Sequence, residues 1–370
     1  MNIRGDVGHG DLLDRAAPVR WAAGSCGGVP VAMVACGTRI TLALTRDSTV
    51  WQCGHMMFAE EGSLLPEQVA GLPPVVMVGA GTFHNIALAA DGLVWTWGSS
   101  LMGALGTVPA VVGGIEVHFT PQSLGPAEFG GQTAVFVAAG SESSAAVTQQ
   151  GALWVWGIFR DGRFHDEPTV IHEAPTLLQG GGVQAWDGSR VTVSLGDRYA
   201  LMVTEDGGVW SWGRNTEGRL GHNDMLDRWV PTRIPRAAFG GSSVVLVAAG
   251  NRSYRGDASM AVSAEGILYS WGRGAVGHHG AAAEPSLVPF PVAETLAPGA
   301  RVGRSCRLPQ QFALAFCMGT HARLGDEVTY KDDPGEMVCD VVQCCTVLDG
   351  AYAHMREGQL RLLGVRERII

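Results

Sequence analysis

A single lysine, Lys331, stands in a chain of 370 residues, and charged side chains make up only 16% of it. A phosphate-cradling P-loop needs a lysine behind its glycines. Here the lysine lies in TYKDD, which excludes nucleotide hydrolysis by that device. The net charge of -9 argues against broad attraction to nucleic-acid backbones or anionic membranes, so nucleic acid is not expected as a direct partner. Any basic patch must be local and built from arginine. The eight cysteines contain no CxxC pair. They read as reduced, buried thiols of an intracellular protein, cytoplasmic, nuclear or organellar, rather than as a disulfide framework or zinc ligands. No uncharged apolar run approaches the roughly 20 residues that span a bilayer. Arg4, Asp6, Asp11, Asp14 and Arg15 break up the apolar stretch a secretory signal would need. GxSxG, HExxH and EF-hand loops are also missing, which removes support for hydrolase chemistry. Gly272 to Gly277 match GxGxxG but lead into HHGAAAEP rather than a helix, and the adjacent His278 and His279 diverge on an extended chain. Neither cofactor nor metal is expected.

Glycine and a repeated aromatic pattern are what the chain has in abundance. Its 52 glycines are spread along the sequence, as tight turns between short strands require, and a hydrophobic content of 46% demands a sizeable core. Gly92-LVWTW-Gly98, Gly151-ALWVW-Gly157, Gly207-GVWSW-Gly213 and Gly266-ILYSW-Gly272 are copies of one element. Ser48-TVWQC-Gly54 is a fifth, and Gly319-THARL-Gly325 and Gly358-QLRLL-Gly364 are degenerate, making seven. Each follows an apolar run, a polar loop and a second apolar run, as in VVMVGAGTFHNIALAAD. The closing glycines are 44, 59, 56, 59, 53 and 39 residues apart. Short strands and turns at such a period predict an all-β, seven-bladed β-propeller of four-stranded blades, one domain over residues 1–370.

One copy cannot stand alone. Trp210 and Trp212 are two residues apart and project from one face of a strand, so that face must be covered by a neighbouring sheet. Trp51, Trp95, Trp97, Trp154, Trp156, Trp210, Trp212 and Trp271 share this slot, and their expected role is inter-blade packing. GDVGHGDLLDRAAP near the start parallels GRLGHNDMLDRWVP at 218–231, whereas nothing like it follows Gly364. One blade is therefore expected to be closed by both chain termini, which removes exposed sheet edges.

The AAG loop followed by an AL or AV strand, then DGxVWxWG, GxLGHxD and Arg-x-x-Pro, resembles the regulator of chromosome condensation family of propellers over essentially the whole chain. The resemblance implies action by protein binding and, as a specific activity, guanine-nucleotide exchange on a Ran-like small GTPase. An exchanger stabilises the nucleotide-free GTPase more than the loaded one and does no chemistry on the nucleotide. Phe159, Arg160, Asp161 and Arg163, in WGIFRDGRF, look like the family's wedge segment, although they fall in the third full repeat. Asp197 in the Gly196-Asp197-Arg198 loop is similar to the loop acids that face the GTPase, and Glu142 occupies a comparable loop. A loop carboxylate bonding its own turn is the structural alternative for both. His84 fits a loop histidine that serves internal hydrogen bonding. A binding scaffold without exchange, of the kind attached to ubiquitin ligases or serving organellar assemblies, is the second reading. An ultraviolet receptor would carry GWRHT segments, and the chain has none. A chromatin binder would carry a basic tail. A monomer is expected.

Overall fold

The computed structural model of the chain describes residues 5–15, 19–55, 62–107, 117–158, 171–178, 191–250, 258–273 and 285–292. They form five four-stranded antiparallel sheets, each a simple meander. The first comprises β1 (Val31–Cys36), β2 (Ile40–Thr45), β3 (Val50–Gly54) and β4 (Ser63–Gln68), and the second β5 (Val75–Ala80), β6 (His84–Ala89), β7 (Val94–Ser99) and β8 (Val117–Leu124). The third comprises β9 (Ala134–Ala139), β10 (Ser143–Thr148), β11 (Leu153–Ile158) and β12 (Ile171–Leu177). The fourth comprises β13 (Val191–Leu195), β14 (Tyr199–Thr204), β15 (Val209–Gly213) and β16 (Arg228–Arg233). The fifth comprises β17 (Val244–Ala249), β18 (Ala258–Ser263), β19 (Leu268–Gly272) and β20 (Ser286–Pro291). No helix among the described residues is long and apolar enough to cross a membrane.

Successive sheets meet through their first strands, with β1 against β5, β5 against β9, β9 against β13 and β13 against β17. The first strand is thus innermost and the fourth outermost. Every residue of β2, β6, β10, β14 and β18 is buried, and β6, β10 and β14 lie between two neighbouring sheets. Small side chains make the close approach feasible: Ala43, Ala87, Ala145, Ala146 and Ala200 have no exposed surface. The outermost strands each contain a proline, at Pro66, Pro121, Pro175, Pro231 and Pro289. A proline cannot donate to a further ladder, so the outer edges are blunted against pairing with another chain.

The closing glycine of each aromatic element has a steric origin. Gly98 sits at φ 115°, and a Cβ there would lie 2.6 Å from the carbonyl oxygen of Phe83. The chain turns out of β7 against the loop between β5 and β6, and only glycine fits.

Neighbouring sheets are fastened by a carbonyl that lies in the GxLG-type loop. The Ala104 oxygen accepts hydrogen bonds from Ser144 Oγ and Trp156 Nε1, both at 2.9 Å and both on the next sheet. The Arg219 oxygen likewise takes Ser259 Oγ at 2.7 Å and Trp271 Nε1 at 2.8 Å. Ahead of the first sheet, the Asp6 oxygen accepts Thr41 Oγ1 at 2.7 Å, with Cys53 Sγ at 3.5 Å standing where the other sheets have an indole. The loop is also tied to its own sheet: Thr96 donates to the Leu105 oxygen and Ser211 to the Leu220 oxygen, each at 2.8 Å. The hydroxyl between the two tryptophans of WTW and WSW is therefore a loop anchor. Phe129 and Phe239, in the connections between sheets, pack edge-on against Trp154 at 6.0 Å and Tyr269 at 5.4 Å.

The residues at 5–10 occupy on the first sheet the place that 218–223 occupy on the fifth. Gly10 donates its N–H to the Leu64 oxygen at 2.8 Å and Asn223 to the Leu287 oxygen at 2.9 Å.

Replacing Trp156 by phenylalanine keeps most of the buried ring and deletes one of the two donors to Ala104. The expected loss is about 1 kcal/mol in urea denaturation, against about 3–5 kcal/mol for Trp156→Ala. Trp95→Phe, which removes a buried indole N–H that has no acceptor, should cost less than Trp156→Phe. Equal losses for the two phenylalanine variants would contradict the fastening role.

Candidate partner-binding face

At one end of the sheets the turns between first and second strands stand side by side. Gly37-Thr38-Arg39, Gly81-Thr82-Phe83, Gly140-Ser141-Glu142 and Gly196-Asp197-Arg198 each leave an inner strand and enter a fully buried one. The third strands also exit here. His55, Ser99, Ile158 and Arg214 donate their N–H groups to the oxygens of Arg39, Phe83, Glu142 and Arg198 at 2.7–2.9 Å. Neighbouring turns are bonded to one another: Thr38 Oγ1 to Thr82 Oγ1 at 3.1 Å, Thr82 N–H to the Ser141 oxygen at 3.0 Å, and Asp197 N–H to the Gly250 oxygen at 3.2 Å. The result is a rigid platform of turns.

Asp197 and Glu142 both lie on this platform. The Asp197 carboxylate is 3.9 Å from Arg198 Nε, with 18% of its side chain exposed, and Arg198 adopts a left-handed φ of 66°. The Asp197 carbonyl accepts Arg219 Nη1 at 3.3 Å. Arg219 is itself buried, donates to Thr216 Oγ1 at 2.9 Å and lies 5.4 Å over the Tyr199 ring. The loop is thus supported from beneath by a guanidinium. Glu142 is half-buried beside the end of β11. Phe159, Arg160, Asp161 and Arg163 lie outside the described residues. The strand that precedes them in sequence, β11, ends on the platform at Ile158, whose N–H bonds the Glu142 oxygen.

The eight tryptophans fall into two groups. Trp97, Trp156, Trp212 and Trp271 are at most 2% exposed and Trp210 is 8% exposed, whereas Trp51, Trp95 and Trp154 are partly buried. Trp97 donates to Gln52 Oε1 of the preceding sheet at 3.2 Å. His84, fully buried, shares a hydrogen bond of 2.8 Å with Ser144 Oγ of the next sheet, and burial pushes its pKa down to about 4. Tyr199 fills the same slot on the fourth sheet, where its hydroxyl meets Ala258 O at 3.2 Å and accepts from Gly250 N–H at 2.7 Å. Sequence reasoning passed over Tyr199 and Arg219. Aligning GTFHN with GDRYA would have revealed the first, but nothing local marks the second.

Two loops at the rim share an Asp-x-Leu-Asp-Arg pattern. Asp11 pairs with Arg15 at 2.6 Å and Asp224 with Arg228 at 2.7 Å, and the arginine holds Asp224 down to a pKa of about 2. His222, 2.9 Å from Ser211 Oγ, is held near 4 by burial and then by Arg228. Cys26 and Cys53 are buried free thiols, raised to about 11 and about 12 by desolvation, which makes them inert as nucleophiles. The remaining motifs around Gly274, His278 and His279, and the cysteines from Cys306 onward, lie outside the described residues.

Tandem antiparallel sheets joined through their innermost strands define a propeller. Regulator of chromosome condensation (RCC1) repeat models match over residues 191–219 and 206–253, so that stretch of the chain is similar to RCC1 repeats. It is 34% identical over 145 residues to the human E3 ubiquitin-protein ligase HERC2, an alignment covering 39% of this chain and 3% of that one. It is also 34% identical over 154 residues to the Arabidopsis thaliana ultraviolet-B receptor UVR8, covering 40% of this chain and 32% of the relative. The matched part is thus about a third of the receptor and a small fraction of the ligase. The structure of Prp20p from Saccharomyces cerevisiae, described with its binding to Gsp1p and histones, superposes with a TM-score of 0.55 at 20% identity, covering 72% of this chain and 64% of that one. This likeness shows the fold alone.

The buried histidines imply a pH dependence. A folded pKa near 4 for His84, against an ordinary 6.5, means that the unfolded chain takes up the proton first as the pH drops. The stability His84 contributes is therefore complete above pH 6.5 and is lost progressively down to pH 4, by up to about 3 kcal/mol. His84→Gln, which keeps a partner for Ser144 and cannot titrate, should flatten the curve in denaturation experiments between these pH values. An unchanged slope would count against the assignment.

Proposed function

We propose that the chain is an intracellular protein-binding propeller that engages its partner through the platform of turns carrying Glu142 and Asp197. The observation that carries the reading is convergence. Two acidic turns and the end of β11, which precedes residues 159–163 in the sequence, lie at one end of the sheets, each turn bonded to the outgoing third strand of its own sheet and to a neighbouring turn, while the interior is occupied by packing. Rigid loops bind without paying the ordering entropy that flexible ones would. The specific activity proposed is guanine-nucleotide exchange on a Ran-like GTPase. It is supported by the family resemblance, by the wedge-like FRDGR segment and by a neighbour in fold described with its binding to Gsp1p. An interaction scaffold without exchange is the competing reading, favoured by the match to a ubiquitin ligase. The same proposal takes the architecture further: one domain over 1–370, seven blades, and a blade completed by both ends of the chain. The seating of residues 5–10 on the first sheet, matching that of 218–223 on the fifth, supports this closure.

Release of fluorescent GDP from a Ran-type GTPase separates the readings. Exchange requires acceleration by the native chain, reduced at least about tenfold by Asp197→Ala or by the Phe159→Ala, Asp161→Ala pair. Asp197→Ala should fold normally, because the contacts of this residue across sheets run through its backbone. No acceleration, together with a stable partner recovered by affinity capture and lost on mutating the platform, would leave the scaffold.

A further inference from the structure

The opposite end of the sheets carries its own regular feature. There the turns between second and third strands meet the beginnings of the next sheet's inner strand. Ser48 O accepts Val75 N–H at 2.9 Å, and Gly207 O accepts Val244 N–H at 3.1 Å. Gly92 is pressed so close to the third sheet that a Cβ on it would collide with Thr133 Cγ2 and lie 3.2 Å from the Ala134 oxygen.

At these three junctions the second residue of the inner strand is a valine pushed out of the ladder by a bulge. The register slips between Val75 and Met77, between Ala134 and Phe136, and between Val244 and Leu246. Val76, Val135 and Val245 are left 49%, 49% and 52% exposed. A lone exposed valine needs no explanation. Here, however, bulges re-aim three side chains at one equivalent position, which is what bulges are used for near binding surfaces. The turn facing each valine carries an exposed aspartate: Asp47 before Val76, Asp91 before Val135, Asp206 before Val245. The junction between the third and fourth sheets has neither. Its turn is Gln149-Gln150-Gly151, β13 pairs without a slip, and the equivalent residue is Thr192.

The three carboxylates are not equivalent. Asp206 already pairs with Arg233 at 2.7 Å and Arg236 at 3.5 Å. Asp47 and Asp91 make no ion pair among the described residues. Each uses one oxygen to hold its own turn, Asp47 with Thr45 Oγ1 at 2.6 Å and Asp91 with Leu93 N–H at 3.0 Å. Across the first three sheets this leaves a track of Asp47, Val76, Asp91 and Val135, with exposed Arg46 beside Asp47 in the chain.

We propose that this track docks a peptide segment of a protein partner in which cationic and apolar side chains alternate. Such a segment is complementary in both respects: its guanidinium or ammonium groups meet the carboxylates, and its apolar groups cover the valines. An acidic or purely polar segment satisfies neither. The site lies at the other end of the sheets from Glu142 and Asp197, so it is independent of the platform and of the function proposed for it.

The test uses the full chain and a fluorescein-labelled hexapeptide of alternating arginine and leucine, with the glutamate–leucine peptide as control, read by fluorescence anisotropy at low and high salt. The arginine peptide should bind and weaken with salt, and the glutamate peptide should not bind. Asp47→Asn with Asp91→Asn preserves the turn hydrogen bonds. It should lower the affinity roughly tenfold and flatten the salt dependence. Val76→Ser with Val135→Ser should weaken binding several-fold, leaving the salt dependence in place. Asp197→Ala should have no effect. Failure of the arginine peptide to bind, equal binding of the glutamate peptide, or undiminished binding by both rim variants would overturn the proposal, as would loss confined to Asp197→Ala. Melting temperatures of the exposed-site variants, expected within a few degrees of the native chain, verify that they are folded.

Discussion

The indole that points out of one sheet and into the next sets the terms for the whole architecture. Its rings carry a large apolar area that a four-stranded sheet cannot cover, and burying its N–H group without an acceptor costs free energy. At Trp97, Trp156 and Trp271 both needs are met by the preceding sheet or by the loop that follows its third strand, whereas the buried N–H groups of Trp95, Trp154, Trp210 and Trp212 have no acceptor among the described residues. The Ala104 and Arg219 oxygens receive the Trp156 and Trp271 N–H groups, with Ser144 and Ser259 adding a second donor from the strand alongside. Each sheet thus completes its neighbour, and the stability of the array comes mostly from junctions rather than from separate units. Where the partner loop differs, the same slot is filled by other chemistry: Gln52 accepts from Trp97, and Cys53 takes the indole's place over Asp6.

Closeness at the junctions restricts everything between them. The second strand of every sheet is buried throughout, so each carries at least one alanine, and polar groups there are satisfied across the junction, as His84 is by Ser144 and Tyr199 by Ser259. The fourth strand faces outward and is free of this demand, but it would offer an unpaired edge. A proline in each of the five outer strands answers that hazard. The two ends of the sheets are left to carry function, and they are built from different turns. One end is a platform of glycine-led turns bonded to each other, with buried Arg219 beneath Asp197. The other is a rim where aspartate-bearing hairpins meet bulged valines.

Much of this could be read from residue order. Period-two alternation in LVWTW and GVWSW, closed by a glycine, was enough to place the third strands, and the polar loop between two apolar runs was enough for the first two. The likeness of GDVGHGD to GRLGHND marked the opening segment as a loop belonging with the others, and both do seat on a fourth strand through the same backbone bond. Glu142 and Asp197 could be singled out because they sit in equivalent turns. That Asp197 is propped by Arg219, and that the residue between paired tryptophans anchors a loop, could not be seen. These contacts join positions 9 to 22 residues apart through turns whose shape local composition does not specify.

By itself, then, the order of amino acids determined the repeating unit, the side of each strand that is apolar and the turns that end it, because these follow from steric rules acting over a few residues. Which carbonyl meets which indole, which valine a bulge turns outward and which carboxylate enters an ion pair were decided only when the sheets packed together. Those outcomes depend on the distances between separate sheets, and only the packed tertiary structure sets such distances.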